Sequence, residues 1–299
     1  MTQSALCAAL ALLIGLPATL PAQMAMTSET VVPGVHVIAG FANGNILVVE
    51  GSDQVLLVDA QSARRVGLAD SVLRTLTRLP VRTVVFTHYH EDHTGGMPHW
   101  REAGALALAH EAVPAQMAVD TVILDWEGWH RTAAAPPAMP DRLFRDRIAL
   151  DAGGVRVEVV HLPGAHTDGD AVVWLPGPNV LHTGDLVEPG APPFIDWWAG
   201  GSLAGMIAAA DSLLAMADDD TRIVPGHGPV IRRETLVEHR TMLATLGERV
   251  GSAIREGQSL EQLLAARPAA EFETLLGGER RAAQFLRLLH YGLSRPSGG

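Results

Sequence analysis

Six consecutive residues constrain what this 299-residue chain can become more than any others: His88-Tyr89-His90-Glu91-Asp92-His93. They begin where the apolar run 81–87 ends, and Thr94-Gly95-Gly96 follows them. The run reads as a buried strand, so the histidines stand at a strand terminus. His88 and His90 are two apart and project to the same side of an extended chain. Asp92 and His93 fall on the turn that opens the next helix. Imidazole and carboxylate together suit zinc and similar divalent ions. Four potential ligands in so short a stretch exceed one tetrahedral site once distal ligands join, and that density implies two metals.

Further ligands are then expected at other strand ends. His166 lies in Leu162-Pro-Gly-Ala-His-Thr-Asp-Gly-Asp170, after the β-like run 155–161. Asp185 lies in His182-Thr-Gly-Asp-Leu186, after 180–183, and His227 in Pro225-Gly-His-Gly-Pro229, after 222–224. Each sits in a glycine-containing turn, where backbone can approach closely. Asp59 ends the run 55–58, and we read it as a partner that orients a ligand histidine or ties the loops.

The remaining pattern indicates an α/β fold. Strands are expected at 35–39, 46–50, 55–58, 81–87, 105–109, 148–150, 155–161, 171–174, 180–183 and 222–224. Helices are expected at 65–79, where Leu68, Val72, Leu76 and Leu79 share a face, and at 203–216. Residues 114–141 read as a helix followed by a surface flap containing the run Ala133-Ala-Ala-Pro-Pro-Ala-Met-Pro140. Residues 232–293 read as helical, with a capping box at Ser259-Leu-Glu-Gln262. Strands alternating with helices in this order suggest stacked sheets flanked by helices. The expected organisation is one domain over 31–231 with a helical C-terminal extension, 232–299, packed on it.

Residues 1–25 carry an apolar run followed by Pro17, Pro21 and small residues, the shape of a signal peptide, although no Lys or Arg precedes the run. Cleavage near Ala22 or Ala25 removes the only cysteine, Cys7. The expected location is periplasmic or secreted, without stable membrane insertion once the leader is cut. The formal net charge is −11 and no lysine is present, so a nucleic-acid partner is not expected and a small-molecule substrate is.

Taken in order, Asp59, the His-x-His-x-Asp-His run, His166, Asp185 and His227 resemble the motifs of the metallo-β-lactamase superfamily. The resemblance covers roughly residues 31–231 and implies an αββα sandwich with metals at one edge, between the sheets. It implies that His88, His90 and His166 hold one zinc and Asp92, His93 and His227 a second, with Asp185 and a hydroxide bridging them. That hydroxide would attack the carbonyl of an ester, lactone, thioester or β-lactam, with Asp92 and Asp185 in catalytic roles. Two-zinc β-lactamases usually carry Cys or Ser where Asp185 stands, and some use a lysine for the drug's carboxylate. Asp185 is instead the pattern of glyoxalase-II-like and lactonase-like members, although quorum-signal lactonases have Tyr where this chain has Glu188. Persulfide dioxygenases share much of the ligand motif but use one iron.

Segments close to the ligands are rich in aromatic residues, and Trp126, Trp129, His130, Phe194, Trp197 and Trp198 are expected to form the substrate wall. Tyr89, between two ligands, points away from the metals by strand alternation and is expected to pack. A phosphodiesterase and a non-catalytic zinc-binding periplasmic protein on the same fold are the competing readings; the full ligand set argues against the second.

Overall fold

A computed structural model describes residues 26–40, 43–124, 126 and 128–295. The expected leader therefore lies outside the described residues. The chain opens with β1 (Met26–Val32), β2 (Val35–Gly40), β3 (Asn43–Glu50) and β4 (Val55–Val58), an antiparallel meander. Helix α1 (Val66–Leu76) leads to β5 (Val81–Val85), which pairs parallel with β4. The short helices α2 (Glu91–Thr94) and α3 (Met97–Glu102) precede β6 (Leu106–His110), and α4 (Val113–Met117) follows it. A separate hairpin, β7 (Thr121–Ile123) with β8 (Trp129–Arg131), stands apart from the main sheets, and β9 (Arg142–Phe144) completes the first sheet in the order β1-β2-β3-β4-β5-β6-β9.

The second sheet runs β10 (Arg147–Asp151), β11 (Arg156–His161), β12 (Ala171–Leu175), β13 (Val180–Gly184) and β14 (Arg222–Pro225), in chain order. Helix α5 (Leu203–Met216) crosses from β13 to β14, whose pairing is parallel. The tail consists of α6 (Arg233–Arg255), α7 (Leu260–Ala265) and α8 (Glu279–Leu293).

Alternation along the strands decides the layers, because successive side chains leave opposite faces. Leu47 and Val49 of β3 face inward and meet Val157, Val159, Val173 and Leu175 of the second sheet. Their neighbours Ile46 and Val48 face outward onto Val66, Ala69 and Leu73 of α1 and onto Trp100 of α3. On the far side, Val172, Leu181 and Ile223 pack against α5, α6 and α8. The layers are thus helix, sheet, sheet, helix. The C-terminal helices share a buried cluster with the second sheet, Leu243 and Leu246 of α6 joining Phe285 and Leu289 of α8. Among the described residues no helix is long and apolar enough to cross a membrane.

Several expectations shift. Pairing in the first sheet begins at Met26, ahead of position 31. Helix α1 ends at Leu76, because Thr77 is extended and its hydroxyl accepts the Leu79 amide. The tail, read as helical with a second helix opening at Ser259, consists of three helices, and Ser259 caps α7 with the reciprocal Gln262 contact that its sequence announced. Strands β7 and β8 lie inside the segment 114–141 read as a helix and flap, and β9 lies just after it; three residues each are too few to show a period.

His239 of α6 is 1 % exposed, and its Nε2 has no hydrogen-bond partner among the described residues. Burial pushes it down to about 4. An unfolded chain takes up this proton near pH 6.5, so the stability it provides is complete above that pH and is lost progressively as pH falls towards 4. The full loss is about 3 kcal/mol. In metal-free protein, urea unfolding of wild type and His239→Phe at pH 7.5 and pH 5 should show the balance moving in favour of the variant at the lower pH. Parallel losses in the two proteins would show that His239 does not set this slope.

Candidate metal centre

The sandwich has one edge where β5, β11, β13 and β14 all end, and the loops leaving those ends carry the seven expected ligands. His88, His90, His166 and Asp185 form one group and Asp92, His93 and His227 another; within each group the ligand atoms lie within 4.8 Å of one another. His90 Nδ1 is 3.0 Å from His88 Nε2 and 3.1 Å from His166 Nε2. His227 Nε2 is 3.1 Å from Asp92 Oδ2 and 3.3 Å from His93 Nε2. Asp185 also reaches the second group, with Oδ2 at 3.7 Å from His88, 3.9 Å from His166 and 3.5 Å from His227, and Oδ1 at 3.4 Å from His93. Ligands 2.0–2.1 Å from a tetrahedral ion stand roughly 3.3 Å apart, so these spacings fit a metal within each group. The His227 loop approaches so closely that a Cβ on Gly226 would lie 2.0 Å from Asp185 Oδ1, which explains the glycine.

The second ring nitrogens are held as well. His93 Nδ1 is 2.7 Å from Asp59 Oδ2, and Asp59 also accepts from the Thr87 amide and hydroxyl, at 2.8 and 2.9 Å. Thr87 Oγ1 lies 3.0 Å from His88 Nδ1, so Asp59 serves His88 through that hydroxyl. His166 Nδ1 donates to the Phe194 carbonyl at 2.8 Å. His90 Nε2 is 3.3 Å from Asp196 Oδ2, which also accepts the Tyr89 hydroxyl at 2.5 Å. Such contacts select the tautomer whose free lone pair faces the metal. Asp59 takes the orienting position that the sequence suggested. Asp196 was missed: it is fully buried, and its other oxygen accepts from the Trp198 and Ala199 amides. The only hint was an acid amid aromatics in Phe194-Ile-Asp-Trp-Trp198. Tyr89 does pack, as alternation required, and through Asp196 it also braces a ligand.

The electrostatics ask for positive charge. Burial holds His88 well below the usual imidazole range and lowers His166 to about 4, leaving both rings neutral, as a ligand must be. Burial acts the same way on His93 and His227. There the carboxylates prevail, with Asp185 foremost, raising His93 well above its ordinary value and His227 to about 10. Asp185 Oδ1 is buried with no directed donor among the described residues. Neutral imidazoles beside an under-satisfied, carboxylate-rich pocket fit two divalent cations, with zinc well matched to the donor set.

Beside the ligands opens a cavity of about 960 Å³. Trp126, Trp129, His130 and Phe194 line it, as expected of a substrate wall. Trp198 stands behind them, its ring 5.9 Å from Trp126 and 6.0 Å from Trp129. Trp197 is a correction: its indole packs into the helical cluster, so close to Gly292 of α8 that a Cβ there would lie 2.0 Å from the ring. It turns inward because Asp196 caps a single 3₁₀ turn, Trp197–Ala199, in which neighbouring side chains diverge. Lining residues missed from sequence include Arg131, Met117 and the alanines 133–135.

Comparison with known proteins agrees with this geometry. A family model described as the metallo-beta-lactamase superfamily matches residues 39–227. The acyl-coenzyme A thioesterase MBLAC2 of Gallus gallus is 28% identical over 211 residues, 64% of this chain and 75% of that protein. A metallo-beta-lactamase type 2 of Bacteroides fragilis is 25% identical over 202 residues, 67% of this chain and 74% of that protein. The solved metallo-beta-lactamase from Pontibacter korlensis superposes with a TM-score of 0.61 at 22% identity, covering 73% of this chain and 99% of its own. With the family match spanning more than half of its length and all seven ligand positions converging on one edge of an αββα sandwich, the chain belongs to the metallo-beta-lactamase superfamily.

Proposed function

We propose that the protein is a two-zinc hydrolase that cleaves a small carbonyl substrate: an ester, lactone, thioester or β-lactam. The observation that carries this is the meeting of two ligand groups at one shared carboxylate, Asp185, beside a cavity. Divalent ions held there would supply a polarised carbonyl and a bound water whose pKa falls from 15.7 to about 7. His88, His90 and His166 would hold one ion and Asp92, His93 and His227 the other, with Asp185 between them. Asp92 lines the cavity, and its side chain is 34% exposed, so it is placed to return a proton to the leaving group. Asp59 and Asp196 touch no substrate in this scheme; they hold the imidazoles, and Tyr89, which lines the cavity, donates to Asp196.

Two relatives support attack at a carbonyl, since their names denote cleavage of a thioester and of a β-lactam. A polynucleotide substrate is disfavoured by a net charge of −11 and by a cavity whose only Lys or Arg among the described residues is Arg131. A panel of esters, lactones, thioesters, β-lactams and bis-p-nitrophenyl phosphate on zinc-loaded protein tests the reading. Carbonyl substrates should turn over, chelation should abolish turnover and zinc should restore it. Phosphodiester turnover well above every carbonyl substrate would reverse the assignment, and no zinc uptake would end it. We propose export to the periplasm or medium from the 1–25 pattern; mature protein should begin near residue 22–25, and soluble cytoplasmic protein still starting at Met1 would refute this.

A further inference from the structure

The cavity extends well past the ligands. It adjoins the centre through His90 and Asp92, and its other walls come from α4 and from residues 129–138, the flap segment that carries the alanine run. Two properties define what it can hold. First, its accessible wall is mostly apolar. Trp129 and Phe194 stand edge to face 5.5 Å apart, Trp129 lies 5.9 Å from the His90 ring, and Met117 and Ala133–Ala135 continue the wall. The Ala134 amide donates to the Met117 carbonyl at 2.8 Å, fixing the alanine run against the end of α4. Alanines there keep open a space that any larger side chain would fill.

Second, among the described residues Arg131 is the only Lys or Arg lining the cavity, and it is held in place from inside: it is 6% exposed, donates to Gln116 Oε1 at 2.7 Å and to the Trp198 carbonyl at 3.4 Å, and lies 4.8 Å over the Tyr89 ring, while its Nε is buried without a partner. The carboxylates of Glu91 and Asp92 border the same space. At the end away from the ligands, an anionic group would lose its hydration against Trp126, Met117 and alanine surface, with Arg131 already directed to Gln116 and Tyr89. An uncharged hydrocarbon would release water from aromatic and alanine surface.

Resting on the hydrolase reading above, we propose that this cavity is an acyl subsite: it takes the linear, uncharged hydrocarbon chain of the substrate, with the scissile carbonyl at the His90 and Asp92 end. At about 960 Å³ it lies at the upper end of the usual range for ligand sites, about 300–1,000 Å³, which leaves room for a chain well beyond acetyl.

The test uses p-nitrophenyl esters from acetate to decanoate on zinc-loaded full-length protein, together with a binding measurement that needs no turnover. In the latter, quenching of tryptophan fluorescence by 2-dodecanone is followed in metal-free protein, with Trp126 and Trp129 as the lining reporters. Burying each methylene should raise kcat/KM about two- to fourfold until the cavity is full. A ten-carbon chain ending in a carboxylate should lose that gain. Ala134→Trp should flatten the series, read as the kcat/KM of each longer ester relative to that of acetate in the same protein. Ala133→Trp, at an exposed position that also lines the cavity, gives the same readout should the first variant fail to fold. A flat chain-length profile with ester hydrolysis intact overturns the subsite and leaves the hydrolase standing. Saturable 2-dodecanone binding, weakened by the tryptophan variants but without turnover of any ester, upholds the subsite and removes the hydrolase reading. Absence of both 2-dodecanone binding and a chain-length trend overturns the subsite.

Discussion

Replacing Asp185 by asparagine should lower kcat/KM by on the order of 10²–10³-fold and reduce bound zinc from two equivalents towards one. The reasoning starts from position. Asp185 leaves the end of β13 on a turn whose Gly184 has φ +54°, and that turn sets the carboxylate within 3.4–3.9 Å of four histidines from both groups. Burial opposes ionisation there, yet His93, His227 and His88 hold the carboxyl well below its usual range. Asparagine keeps the volume that the Gly226 approach requires, but it presents only one acceptor and no charge. Its amide hydrogens would face either imidazole lone pairs or a cation. Metal content by elemental analysis and turnover of the best panel substrate, on protein with an unchanged circular dichroism spectrum, give the answer. Two retained ions with full turnover would show that Asp185 is not the shared ligand.

The second large effect is expected at Asp59, and there two substitutions separate fold from metal. Asp59 is fully buried, with φ +67°, and its two oxygens accept from the Thr87 amide, the Thr87 hydroxyl and His93. Asp59→Ala strands all three donors in the interior and should cost about 3–5 kcal/mol, seen as a fall in Tm. Asp59→Asn should cost much less stability, because its oxygen can still accept from Thr87. Its NH₂ group, however, would face His93 Nδ1. That ring would then have to accept at Nδ1 and carry its proton on Nε2, the nitrogen that faces Asp185, Asp92 and His227. Zinc affinity of the second group should fall about 10–100-fold. Unaltered zinc affinity in Asp59→Asn would mean that the hydrogen bond to His93 does not choose its tautomer.

The ligands were legible because metal chemistry restricts residue types and because strand ends are marked in sequence: an apolar run stops and glycine follows. Asp59 could be read for the same reason. Asp196 could not, since its role depends on the loop after β13 folding back over His90, a contact that spans 106 positions. The aromatic wall was legible only as a composition. Trp197 and Trp198 are adjacent and alike in sequence, yet one is core to α8 and the other backs the cavity.

By itself, the sequence determined the order of the main strands and helices, though not β1 or β7–β9, together with the seven candidate ligand positions and the excess of negative charge, because each rests on residue type and local periodicity. Tertiary structure alone decided which nitrogen of each histidine faces the centre, that Asp185 reaches both groups, and that Arg131 donates to Gln116 and lies over Tyr89 at the cavity wall. It also decided that the alanine run 133–135, partly exposed, borders a cavity beside the ligands. Those outcomes depend on the packing of segments far apart in the chain, where burial and directed hydrogen bonds choose among orientations that are equivalent in an isolated segment.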